Sequence, residues 1–180
     1  MSTINHEHRH VFIHVPKTGG TSMERQPWVG GNGHATAAQL VHHEPDYLSW
    51  GFVRHPCDRL LSAYSAACQH GGPYLDVARA GSFESFVNRL EELSPGFPHS
   101  WPQTHFLCDL SGRILVDFVG AFENLQNDWR ILCARVGVPC APLPRLCTTE
   151  HPPWEQVITR PLRKMIQRHY AADFEVFCYG

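Results

Sequence analysis

The sequence predicts an α/β fold: an open parallel sheet flanked by helices, layered α/β/α. Three observations predict it. Short apolar, β-branched runs alternate with segments of helical period along the chain, and such alternation belongs to parallel strands joined by helical crossovers. The first two runs each end at a proline-containing turn that opens into a helix start. The composition is globular, with 43% hydrophobic and 18% charged residues, and 180 residues suit one domain, read here as 1–180.

The elements follow in order. Val11-Phe12-Ile13-His14-Val15 is a buried strand stopped by Pro16. Gly19 and Gly20 make a turn, and Thr21-Ser22-Met23-Glu24 starts a helix. Residues 26–34, with Pro27, Gly30, Gly31, Asn32 and Gly33, form a flexible loop, and 35–42 a short helix. The second strand is Leu48–Val53. Pro56 occupies the first turn of the next helix, where its missing N–H costs nothing; the helix runs to about residue 69 and stops at Gly71-Gly72-Pro73. Phe83–Leu93 is helical behind a Ser82-x-x-Ser85 entry, and 94–102 is a Pro- and aromatic-rich loop. The third strand is Ile114–Gly120. Leu125–Val136 is an amphipathic helix stopped by Gly137 and Pro139, and 139–153 is irregular loop. The last helix covers 160–172, with Leu162, Met165, Ile166 and Tyr170 on its buried stripe.

Several function classes drop out. No apolar run approaches the ~20 residues of a membrane span, and the N-terminus has no apolar signal-peptide core. The formal charge of −2 gives no global pull toward nucleic acid or anionic lipid, so a bound anion needs a local site. The seven cysteines form no C-x-x-C pair and read as free thiols of a reducing cytoplasm. Thirteen histidines include the alternating His6, His8, His10 and His14, yet no Cys/His set has zinc-finger spacing, so no metal is expected. The sequence carries no signal for oligomeric state.

Ligands of open parallel sheets bind at the carboxyl ends of the strands, which points to the residues just after 15 and 53. After the first strand stands Pro16-Lys17-Thr18-Gly19-Gly20-Thr21-Ser22. Two glycines let the backbone approach a ligand and present N–H groups, the following helix adds its positive end, and Lys17 adds a mobile charge. Together they suit a phosphate-like anion; the alternative is a tight turn with a solvated lysine. Lys17 precedes the glycines, so this is no Walker A loop, and no acidic residue stands ready for Mg²⁺. After the second strand stands Arg54, followed by Arg59 and Ser62 three apart on one helical face. A guanidinium fork plus a hydroxyl suits a second phosphate. Arg59 is equally a candidate for a buried ion pair.

These segments resemble the sulfotransferases that use 3′-phosphoadenosine 5′-phosphosulfate (PAPS). His14 to Ser22 resembles their 5′-phosphosulfate loop, and Val53-Arg54-His55-Pro56 through Arg59, Ser62 and Tyr64 resembles their 3′-phosphate motif. The nearest branch is the carbohydrate O-sulfotransferases, of the heparan sulfate 2-O and 6-O type, with their bacterial relatives. Gly33-His34 to Leu40 resembles that branch's histidine segment, and Val116 to Leu125 and Tyr170 to Tyr179 resemble its later parts. The resemblance implies a P-loop-like sheet and sulfuryl transfer from PAPS to a hydroxyl, on a carbohydrate in this branch, leaving 3′,5′-ADP and requiring no metal. It implies that Lys17, Thr18, Gly19, Gly20, Thr21 and Ser22 hold the 5′ end of the nucleotide, and that Arg54 and Ser62 hold its 3′-phosphate. Lys17 would also neutralise the leaving oxygen, and His34 would be the general base, with Glu24 and Glu44 the alternative carboxylates. The missing Golgi anchor implies a soluble, cytoplasmic, prokaryotic enzyme, and the short chain implies minimal acceptor lobes. Other readings of the same residues are a non-catalytic PAPS or 3′,5′-ADP binder, a P-loop-type nucleotide kinase and a histidine-rich metal module. No nucleic acid or membrane partner is expected.

Overall fold

The computed structural model describes residues 4–31, 33–70, 74–146 and 149–180. The predicted helix stop at 71–73, Asn32 of the predicted loop and the Cys147 thiol lie outside the described residues. In chain order the elements are β1 (Ile4–Asn5), β2 (His10–Ile13), α1 (Gly20–Glu24), α2 (Ala37–Leu40), β3 (Leu48–Val53), α3 (Pro56–His70), α4 (Leu75–Ala78), α5 (Phe83–Asn88), α6 (Leu90–Leu93), α7 (Gln103–Leu107), β4 (Phe118–Ala121), α8 (Leu125–Val136), α9 (Trp154–Val157), α10 (Arg160–His169) and α11 (Ala171–Val176). The chain gathers into two compact units, Met1–Arg54 with Gln103–Cys147, and His55–Pro102 with Thr148–Gly180. No helix among the described residues is long and apolar enough to cross a membrane.

The first unit holds the sheet, in the order β1-β2-β3-β4. β2 and β3 are parallel, with His10 opposite Leu48 and Ile13 opposite Gly51. β3 and β4 are parallel, with Trp50 opposite Phe118 and Val53 opposite Ala121. The open parallel sheet flanked by helices is therefore as predicted. The unpredicted β1 adds an antiparallel edge, Ile4 opposite Val11; at two residues it has no period to read. Every residue of β2 is buried, as expected of a strand covered on both faces. On one face Phe12, Trp50 and Phe52 pack with Met23 of α1 and with Trp129, Leu132 and Cys133 of α8. Trp50 and Trp129 are both fully buried, and truncating either to alanine would cost about 3–5 kcal/mol. The other face receives α7. A Cβ on Gly51 would lie 2.7 Å from Leu107 Cδ2, so the glycine lets this helix sit directly on the strand. At the amino end of β2, buried His10 bonds to the Trp28 carbonyl through Nε2 (2.8 Å) and accepts from Trp50 Nε1 (3.2 Å). A carbonyl only accepts, so the proton is on Nε2 and Nδ1 takes the indole N–H.

The second unit is helical. Leu60, Leu61 and Ala63 of α3 pack with Phe83, Phe86, Leu90, Phe97, Leu162, Ile166 and Tyr170. Ser82 caps α5 by accepting from Ser85 N (3.1 Å), as its position predicts.

Several boundaries differ from expectation. β2 ends at Ile13 rather than Val15, because the Val15 N–H turns back to the Ile13 carbonyl (3.1 Å). The helix at 35–42 shortens to α2 and ends in a 3-10 turn at Val41–His43. The third strand begins at 118, not 114. Asp117 N still donates to the Ser49 carbonyl (2.9 Å), but its Oδ2 takes Ser49 N (2.8 Å) and Ser49 Oγ (2.6 Å), and the residues before it turn away, with Leu115 N on the Leu107 carbonyl (2.8 Å) and Ile114 bridging Cys108. The predicted 83–93 helix breaks at Arg89, whose φ of −109° and ψ of 15° are not helical. The predicted 160–172 helix breaks likewise at Tyr170, and α11 follows. Met165 is exposed rather than core. α8 matches its prediction residue for residue, with Gly137 closing it at φ 80°.

Candidate active site

At the carboxyl end of β2 the chain makes a tight loop before α1. Lys17 has a φ of 69° and Gly19 of 85°. A positive φ is ordinary for glycine and costly for lysine, so Lys17 holds a strained conformation that the surrounding loop enforces. Thr18 is buried and its hydroxyl donates to the Val15 carbonyl (2.8 Å). Gly19 O accepts from Ser22 N (3.0 Å) and Met23 N (3.3 Å), which starts α1. Ser22 is buried, and its Oγ accepts from Leu146 N (3.3 Å).

Arg54 follows the last residue of β3 and is brought to this loop. Its Nη1 donates to the Lys17 carbonyl (3.3 Å), and its guanidinium lies 4.3 Å from the ring centroid of Phe122. The two cation-bearing motifs therefore meet at adjacent strand ends, as the parallel pairing of β2 and β3 dictates. The Arg54 backbone is gripped by Gln103, whose Oε1 accepts from Arg54 N (2.8 Å) and whose Nε2 donates to Arg54 O (2.9 Å). Gln103 is fully buried.

His34 also comes to the loop. Its Nδ1 is 2.9 Å from the His14 carbonyl, and its ring meets the His14 ring edge-on at 4.5 Å. The carbonyl can only accept, so Nδ1 carries the proton and Nε2 is the basic nitrogen. Burial pushes the His34 imidazole below its ordinary value, and the hydrogen bond to His14 works in the opposite direction. His14 in turn holds Glu24 through Nδ1 (2.9 Å), and its ring lies directly against Gly20, where a Cβ would be 2.2 Å from it. Glu24, His14, His34 and the Gly19-Gly20 turn thus form one contiguous group.

The remaining sequence candidates are held as follows. Ser62 belongs to the second unit, on α3, where its buried Oγ meets Thr149 Oγ1 (3.0 Å). Arg59, also in the second unit, is fully buried and donates to the carbonyls of His99 (3.0 Å) and Trp101 (2.6 Å); it braces the 94–102 loop. Glu44 precedes β3, at the amino ends of the parallel strands, 3.7 Å from His6. Trp129 is core. His14 and Gln103 are not among the site residues that the sequence predicts. His14 stood inside the quoted motif and offered a signal. Gln103 reads in the sequence as an ordinary loop or core residue or a lining of the acceptor cleft, because its hold on Arg54 depends on a strand end 49 residues away.

Chemically, the group combines a backbone turn, a lysine and an arginine able to receive an anion with a histidine whose basic nitrogen is fixed by tautomer. A family model described as "Sulfotransferase family" matches residues 1–180. Carbohydrate sulfotransferase 14 of Danio rerio is 24% identical over 230 residues, covering 98% of this chain and 61% of the relative. The chain therefore spans about three-fifths of the length of the curated relative it matches. No solved structure matches it.

Proposed function

The chain belongs to the sulfotransferase family, and from that premise we propose that it transfers the sulfuryl group of PAPS to a hydroxyl of a carbohydrate. The acceptor class is drawn from the name of the similar Danio rerio protein. Residues 1–180 act here as one sulfotransferase-like domain. The single observation that carries the reading is the hydrogen bond of His34 Nδ1 to the His14 carbonyl (2.9 Å) beside an anion-suited loop, which makes Nε2 the basic nitrogen.

The loop's residues fit the donor. Gly19 and Gly20 bring backbone N–H groups and no side-chain bulk to a phosphosulfate, and Lys17 and Arg54 supply charge. Arg54 would hold the 3′-phosphate. In the reaction the acceptor oxygen bonds to sulfur while its proton passes to His34 Nε2. The bond from sulfur to the 5′-phosphate oxygen breaks, and Lys17 neutralises the charge left on that oxygen. The products are a sulfate ester and 3′,5′-ADP. Sulfuryl transfer, like phosphoryl transfer, depends mainly on positioning and charge stabilisation.

The test is transfer of labelled sulfate from PAPS to a panel of carbohydrate acceptors, with 3′,5′-ADP measured in parallel. Equal amounts of sulfated product and 3′,5′-ADP are expected. Tight binding of 3′,5′-ADP with no transfer to any acceptor would overturn the reading in favour of a non-catalytic nucleotide binder.

A further inference from the structure

β3 ends at Val53, whose partner in β4 is Ala121, and β2 ends opposite Gly51. The backbone of Arg54 therefore extends past both neighbouring strands, in a residue only 9% exposed. A buried N–H and C=O without partners are costly. Gln103 supplies both partners. A primary amide carries a carbonyl acceptor and an N–H donor on one planar group, as a peptide unit does, and among side chains Asn and Gln offer that amide pair. Gln103 thus acts as one rung of a missing strand, and it holds Arg54 in the conformation that sends its guanidinium to the Lys17 carbonyl and the Phe122 ring.

Gln103 is itself firmly mounted. It is the first residue of α7, and Leu107, one turn on, sits on Gly51 of the same strand. The helix is anchored to β3 at one end by Leu107 and beyond its end by the Gln103 amide. We propose that Gln103 is a positioning residue that sets the direction of the Arg54 guanidinium, and through it the selectivity for nucleotides bearing a 3′-phosphate. This rests on the reading of Arg54 as the 3′-phosphate ligand.

The test measures binding of 3′,5′-ADP and of 5′-AMP, which lacks the 3′-phosphate, by Gln103→Met, Gln103→Glu, Arg54→Ala and the Gln103→Met/Arg54→Ala pair. Gln103→Met keeps the volume and loses both bonds. Gln103→Glu keeps the acceptor for Arg54 N and loses the donor to Arg54 O. Each Gln103 variant that retains the native circular dichroism spectrum should bind 3′,5′-ADP at least 5-fold more weakly while 5′-AMP binding changes less than 2-fold. A general loosening of the unit would weaken both ligands together. Because Gln103 acts through Arg54, the double variant should lose no more 3′-phosphate selectivity than Arg54→Ala alone. Wild-type selectivity in either folded Gln103 variant, or additive losses in the pair, would overturn the proposal. If Arg54→Ala itself leaves selectivity unchanged, the reading of Arg54 fails instead, and the two failures are distinguished. Should Gln103→Met not fold, Gln103→Glu decides by the same criterion.

Discussion

Gly20→Ala would put a methyl group where the His14 imidazole already lies. The new Cβ would fall 2.2 Å from His14 Cδ2 and Nε2 and 2.8 Å from Cε1. Carbon contacts are comfortable only from about 3.5 Å, so the ring must retreat by roughly 1.3 Å. It has little room to do so. Phe12 stacks on it at 5.5 Å, His34 meets it at 4.5 Å, and Glu24 holds its Nδ1 at 2.9 Å. Overpacking of this kind costs about 1–3 kcal/mol, and breaking a hydrogen bond to a carboxylate adds about 1.5–3 kcal/mol. Alanine's better helix propensity at Gly20, the first residue of α1, returns at most about 1 kcal/mol. The clash wins, with a net loss of about 1.5–6 kcal/mol. For a chain of this size that lowers the melting temperature by roughly 3–24 °C. Thermal unfolding of Gly20→Ala, His14→Ala and the double variant checks it: with the imidazole gone, Gly20→Ala should cost almost nothing. A single variant melting at or above wild type, or a penalty that persists in the His14→Ala background, would refute the steric argument.

Four further variants have expected outcomes. His34→Ala should lower kcat at least 10²-fold, the low end for loss of a general base, while 3′,5′-ADP affinity by calorimetry stays near wild type; in the wild type, the acid limb of kcat should lie below pH 6.5 because burial depresses the His34 imidazole. Glu24 works to raise that group, so Glu24→Gln should move the limb to still lower pH. Lys17→Ala should cut kcat by roughly 10²–10³, the range for one well-placed charge-stabilising donor, with nucleotide affinity falling much less; poor PAPS binding at unchanged kcat would reduce Lys17 to a phosphate clamp. Burial also depresses His10 below its ordinary value of 6.5. Below that pH the unfolded chain binds more protons than the folded one, so stability is complete above pH 6.5 and declines as pH falls toward the folded value. Replacing His10 with Gln should flatten that decline in urea unfolding followed from pH 7 to pH 5, and an unchanged slope would remove His10 as its source.

The parts of the fold and site that depend on local chemistry were legible in the sequence. The helical period of Leu125–Val136 and Gly137 after it gave α8 to the residue. Two strand runs, each opening into a helix, implied parallel neighbours, and parallel neighbours put the residues after 15 and 53 side by side; the Arg54 bond to the Lys17 carbonyl is that inference made concrete. What was not legible depends on partners distant in the chain. Ile114-Leu115-Val116 has high β propensity, yet Asp117 Oδ2 takes the Ser49 N–H, Leu115 N turns back to the Leu107 carbonyl, and the strand starts only at Phe118. Arg89 and Tyr170 break helices that their periods would continue; Tyr170 is fully buried in the core of the second unit, with its hydroxyl on the Ser100 carbonyl 70 residues back. Arg59 serves the carbonyls of a loop 40 residues on, and no motif announces that.

The loop at the end of β2 is tied to chain that comes far later. Ser22 accepts from Leu146, 124 residues on, and Gln26 Nε2 donates to the Pro142 carbonyl, 116 residues on (3.3 Å). On a ribosome adding about 5–20 residues per second, the nascent loop waits roughly 6–25 s for these ties. Over much of that interval β3 has only β2 beside it, and its other edge, which will receive Phe118–Ala121, stays open with the Trp50 and Phe52 rings uncovered by α8. Such an edge invites pairing with another chain. Synthesis therefore holds this protein, for seconds, in the state in which chaperone capture or co-translational aggregation competes with completion of the sheet, and slowing elongation between β3 and α8 lengthens that exposure.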